Sequence, residues 1–155
     1  MSMRAVVSAL ATALAACTQP TTSAPPAPAI ATNPDEQTAA LATALAATVS
    51  AEIGRTVALD VRASRVMNEW AWVIAMPTQP DGAAIDWSRT ALASRDENGV
   101  LGDNGMTYAL LRQDNGAWTV IEHVIGPTDV AWLDWPARHG APEALFEMPQ
   151  DPPAP

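Results

Sequence analysis

Apolar positions in this chain follow two different periods. Through DEQTAALATALAATVSAEI, Leu41, Leu45, Val49 and Ile53 recur every fourth residue, with alanines beside them. That spacing predicts a helix with one apolar stripe, and the small neighbours let it lie close against a sheet. The flanking residues mark both ends. Asn33 is placed to cap the helix, Pro34 suits its first position, and Glu36 can complete a capping box. Asp35 and Glu36 also suit the positive end of the helix dipole. Gly54 is a good terminator.

Beyond Gly54 the period becomes two. TVALDVRASRV alternates through Val57, Leu59 and Val61, as a half-buried strand does. Asn68-Glu69 reads as a tight turn. WAWVIAM follows over 70–76 with two unlike faces. Trp70, Trp72, Ile74 and Met76 form the bulky one; Ala71, Val73 and Ala75 form the small one. A strand apolar on both sides is covered on both sides. The small face can receive the helix and leave the bulky face to a second layer, and the reverse assignment is equally open. MTYALLRQ and AWTVIEHVI flank Asp114-Asn115-Gly116 and predict a hairpin. Between them and the second strand, residues 77–104 keep no period. A loop that long is uncommon unless it is functional or locally structured. Ile85-Asp86-Trp87 is expected to dock on the core, with a short helix from Asp86. GPTDVAWLDWPARHGAPEALF predicts one or two short helical turns, the first capped by Thr128 or Asp129 and the second opened by Pro142-Glu143.

The fold class that follows is α+β. One N-terminal helix packs on a mostly antiparallel sheet of about four strands, a cystatin-like layout with short C-terminal helical turns.

Composition narrows the function more than the fold. Acidic side chains number 17 and basic ones 8, a net charge of -9, and no lysine is present. That balance argues against nucleic acid, which needs a basic face. It argues equally against charge-driven binding to anionic lipid. A single cysteine, Cys17, allows no internal disulfide.

Cys17 closes a distinctive N-terminal segment. Arg4 precedes a short apolar run, too short to span a bilayer but of signal-peptide length. The run ends in Leu14-Ala15-Ala16-Cys17. These four residues resemble the lipobox of bacterial lipoproteins. The resemblance implies cleavage between Ala16 and Cys17 and attachment of a diacylglycerol to the Cys17 thiol. It also implies an anchor in the lipid bilayer of the cell envelope. Two or more acyl chains make such an anchor stable. Thr18 in the next position points, by the same resemblance, to the outer membrane where there are two. The domain body is loosely similar to small uncharacterised secreted bacterial domains, in which strands such as WAWV and WTVIEHVIGPTDVAW follow a helix. That likeness brings no activity with it.

The expected organisation is a signal peptide over 1–16, a lipidated cysteine and proline-rich tether over 17–34, one domain over 35–148, and a proline-rich tail over 149–155. The proline-rich stretch cannot build a core. Extended at ~3.1 Å per residue, it could hold the domain ~50 Å from the lipid.

Motifs with specific chemistry are missing. No G-x-S-x-G elbow, H-E-x-x-H, P-loop or G-x-G-x-x-G occurs. No catalytic residue, metal ligand or cofactor is expected. His123 reads as a half-buried strand residue facing away from its neighbour Glu122, and His139 as an exposed turn residue. A metal set of His123, His139, Asp129 and Asp134 lacks characteristic spacing. The tryptophans say more: six stand against one tyrosine and one phenylalanine. Trp70, Trp72 and Trp118 read as core. Trp87, Trp132 and Trp135 lie in loops or turns, where they either plug the sheet or, with Asp129 and Asp134, form a ligand-binding edge. Two functions stay open. One is a non-enzymatic, protein-binding envelope lipoprotein. The other is a glycan, peptide or small-ligand binder using Trp87, Trp132 and Trp135.

Overall fold

The computed structural model describes residues 33–147. The expected lipidation at Cys17, the expected cleavage after Ala16, most of the expected tether and the expected tail fall on residues outside the described ones.

Helix α1 runs Pro34–Ile53. The Asn33 side chain accepts the Asp35 N–H at 3.1 Å. Gly54, at φ 77°, ends the helix in the left-handed conformation that lacks a steric cost only for glycine. Leu41, Leu45, Val49 and Ile53 are all fully buried. The expected stripe is therefore the packing face.

Four strands follow: β1 (Ala58–Met67), β2 (Trp70–Thr78), β3 (Thr107–Asp114) and β4 (Ala117–Ile125). They form one antiparallel meander in the order β1-β2-β3-β4. Asn68 at φ 54° turns β1 into β2. Asn115 and Gly116, both at positive φ, turn β3 into β4, as a two-residue hairpin requires.

The two faces of the sheet carry separate cores. On one, α1 packs against Ala71, Val73, Ala75, Ala109, Leu111 and Ile125. Alanines at the contact let the helix approach closely, so of the two assignments left open the small face is the one that takes the helix. On the other, Trp70, Trp72, Ile74 and Leu110 pack under Trp135, Ala141 and Leu145 of the C-terminal segment. That segment holds helix α3 (Trp135–His139) and a 3-10 turn over Glu143–Phe146. Asp134, rather than Thr128 or Asp129, occupies the cap position of α3, and its side chain makes no capping bond. The molecule is thus a helix, a sheet and an irregular aromatic layer.

Two bulges keep the faces in phase. The β1–β2 register shifts between Val61 and Ala63, and the β3–β4 register shifts between Leu110 and Leu111. Arg62 and Ile121 are the extra residues. Each bulge resets the alternation. Val61 and Val66 therefore both pack toward α1, as do Val120 and Trp118.

The long connection after β2 is locally structured. Ala84 bridges to Thr78. A 3-10 turn forms at Trp87–Arg89 and a short helix, α2, at Ala93–Glu97. Ile85, Trp87, Leu92 and Leu101 pack onto the helix-side core. The Ala91 N–H reaches the Ile53 carbonyl at 2.9 Å. This segment is a lid over the C-terminal end of α1.

Candidate functional site

Trp72 is the hub of the aromatic layer. Its ring centre lies 4.8 Å from Phe146, 5.5 Å from Trp132, 5.7 Å from Trp135 and 5.9 Å from Tyr108. The single tyrosine and the single phenylalanine of the chain thus both meet one tryptophan. Trp132 in turn stacks on Tyr108, with ring centres 4.1 Å apart and planes at 20°.

That stack forms a wall of an open cleft of about 560 Å³. The remaining lining comes from two loops, with Gly102 and Asp103 on one and Pro127, Thr128, Asp129 and Val130 on the other. The loops are locked together. The Gly102 N–H donates to the Gly126 carbonyl at 2.9 Å. A Cβ at Gly102 would fall 2.3 Å from the Pro127 carbonyl oxygen, so only glycine fits. Beyond it, Asp103 and Asn104 both adopt left-handed backbone, at φ 47° and 53°. Asp and Asn are the non-glycine residues that tolerate this best. Gly105 continues the turn with Trp87 lying directly over its α-carbon.

The cleft is acidic. Asp103 and Asp129 line it, and no arginine or histidine does. Partial burial lifts the Tyr108 phenol above its ordinary value of 10.0. The nearby charge of Asp103 lifts it further. Tyr108 therefore keeps its proton more firmly than a free phenol does.

The five residues expected to form a ligand edge separate. Asp129 and Trp132 line the cleft together. Trp135 does not reach it, being 1% exposed and inside the aromatic core. The Nε1 atoms of Trp72 and Trp135 are buried and have no hydrogen-bond partner among the described residues. Asp134 turns away to Arg138, at 2.7 Å. Trp87 sits on the α1 side of the sheet and lines a different cleft of about 550 Å³ with Asp60, Arg62, Ile85 and Asn104. The three tryptophans cannot act as one surface, because the sheet separates the first from the other two.

The histidines also differ from expectation in one respect. His123 is half-buried, as expected, and its Nε2 lies 2.7 Å from Glu52 Oε2 of α1. His139 is not an exposed turn residue; its ring is half-buried and hydrogen-bonds Glu122. The two rings lie on opposite faces of β4 and cannot share a metal ion. Among the described residues, no group of three or more potential ligands could hold one.

Asp103, Tyr108 and Val130 are among the cleft residues that sequence reasoning missed. Tyr108 did carry a signal: it alternates with Ala109 and Leu111, which places it on the tryptophan side of the sheet. Asp103 lies in a turn sequence, GDNG, with no hint of its neighbour across 26 positions of chain.

The chain matches no known family model, no curated protein and no solved structure. Among the described residues, no helix is long and apolar enough to cross a membrane.

Proposed function

We propose that this protein is a lipid-anchored, non-catalytic binding module of the cell envelope, and that its contact surface for a partner protein is the Tyr108–Trp132 cleft. The lipobox-like Leu14-Ala15-Ala16-Cys17 and the proline-rich tether support the anchor. The carrying observation for the surface is the stacked Tyr108–Trp132 pair in one cleft with Asp103 and Asp129. Val130 of its lining is 51% exposed, and Leu133, whose N–H donates to the Val130 carbonyl, is 73% exposed. Aromatic anchors with apolar neighbours are enriched at the centre of protein contacts. The alternative reading as a glycan or small-ligand binder keeps only Trp132 of its three tryptophans in this cleft, so protein recognition is favoured.

Two experiments test the reading. Palmitate labelling in a bacterial host should mark the wild-type chain and not Cys17→Ser, which should leave the membrane fraction. Membrane retention of an unlabelled Cys17→Ser chain would remove the anchor from the proposal. A photo-crosslinking residue at Leu133 should then trap a discrete envelope protein, and Trp132→Ala should abolish the adduct. Absence of any discrete adduct, or its persistence in Trp132→Ala, would overturn the contact surface.

A further inference from the structure

We infer that the Tyr108–Trp132 cleft docks an arginine-bearing segment of its partner polypeptide, with the guanidinium held by Asp103 and Asp129 and flanking apolar side chains on Val130 and Leu133. This rests on the reading of the cleft as the contact surface and adds the chemistry of what enters it.

The charge pattern carries the argument. Five acidic residues of the described domain have a cationic or histidine partner nearby. Asp60 pairs with Arg62, Glu69 with Arg112, Asp134 with Arg138, Glu52 with His123, and Glu122 with Arg138 and His139. Asp103 and Asp129 are among the acidic residues with no such partner in the described part of the chain, and these two line one cleft together, with no basic residue in its lining. A third charge-independent element is the aromatic wall. A guanidinium is planar, carries five donors and stacks on aromatic faces, so it suits carboxylates beside an indole better than an ammonium does. Trp70 already holds such a cation in this molecule, with the Arg112 guanidinium carbon 5.2 Å from its ring centre.

The exposed apolar pair, Val130 and Leu133, decides between a polypeptide and a small cation. A free amine or guanidine would fill the acidic part of the cleft and leave Leu133 and Val130 in water. A peptide with apolar residues beside its arginine covers both. A second copy of this chain is a poor occupant, because each carries a net charge of -9, and like charge opposes association.

The test uses the lipidated full chain in neutral detergent and a dye-labelled Gly-Leu-Arg-Leu-Gly peptide, followed by fluorescence anisotropy. The matched Gly-Leu-Gln-Leu-Gly peptide is the neutral control. The arginine peptide should bind at least roughly five-fold more tightly, the gain of one exposed ion pair plus one cation–π contact. Asp103→Asn with Asp129→Asn should erase the preference. These changes preserve the left-handed turn, since asparagine tolerates it as aspartate does. Equal binding of the two peptides, or a preference that survives in the double variant, would overturn the inference. So would N-acetyl-arginine amide competing as well as the whole peptide, which would mark a small-cation site. If the crosslink from Leu133 persists while the arginine preference is absent, the contact surface stands and only its cationic specificity falls.

Discussion

Glu122 and His123 are neighbours in β4, and each is paired with a different layer of the molecule. His123 meets Glu52 of α1 at 2.7 Å. Glu122, on the opposite face, binds both His139 and Arg138 of α3, the latter at 3.0 Å. One edge strand thus fastens the helix on one side and the aromatic cap on the other. Glu52 stands in the last turn of α1, which holds no basic residue of its own, and His123 is the side chain that meets it. A double-mutant cycle with Glu122→Gln and His139→Ala, read by urea unfolding, should give a coupling of about 0.5–1 kcal/mol, because both groups are partly solvated. Strict additivity would show that the pair contributes nothing.

The titration of Tyr108 offers a clean readout, since the chain has one tyrosine. Its pKa is raised from 10.0 by partial burial and by Asp103. The folded state holds its proton longer than the unfolded state does. Stability from this group is therefore full below pH 10 and declines as pH rises from 10 through the folded value. Tyrosinate absorbance in the native protein should show a midpoint above 10, and Asp103→Asn should lower it. An unchanged midpoint in that variant would separate Tyr108 from Asp103.

Gly105 is a steric requirement. It has φ 82°, and a Cβ there would lie 2.1 Å from Cζ2 of Trp87. Gly105→Ala should cost more than ~1 kcal/mol, since both backbone and ring must shift. The Trp87 ring should become more exposed, and fluorescence quenching by acrylamide should rise. Gly116→Ala is the contrast: the same kind of positive φ, at 83°, but no neighbour within 4 Å, so it should cost less.

Leu45 lies midway along the buried stripe of α1 and is fully buried. Leu45→Ala should destabilise the domain by about 2–5 kcal/mol, read as a lower urea midpoint. Leu133→Ala, at a 73% exposed position, should leave the midpoint nearly unchanged. A large loss from Leu133→Ala would show that it packs in the folded state.

The elements were legible because their signals are local. The fourfold recurrence of Leu41 to Ile53, the caps at Asn33 and Gly54, and the alternation of 70–76 all act within a few residues. The bulges at Arg62 and Ile121 were not legible. A bulge exists only relative to the partner strand, and without the second one Val120 and Trp118 would face away from α1. The candidate site was half legible. Asp129 and Trp132 share a loop and line the cleft, whereas Trp135, three residues on, turns into the core. An irregular turn rather than a continuous helix separates their directions.

The sequence by itself determined the helix, the four strands, the small and bulky faces of β2, and the acidic balance of the chain. Each of these follows from residue type and spacing along the chain. The tertiary structure decided which polar and aromatic groups meet. It buried Trp135, moved Trp87 to the other side of the sheet, drew His139 onto Glu122, and set Asp103 in one cleft with Asp129. Those outcomes depend on packing between distant segments: side chains fill whatever space the folded layers leave, and no local period encodes that space.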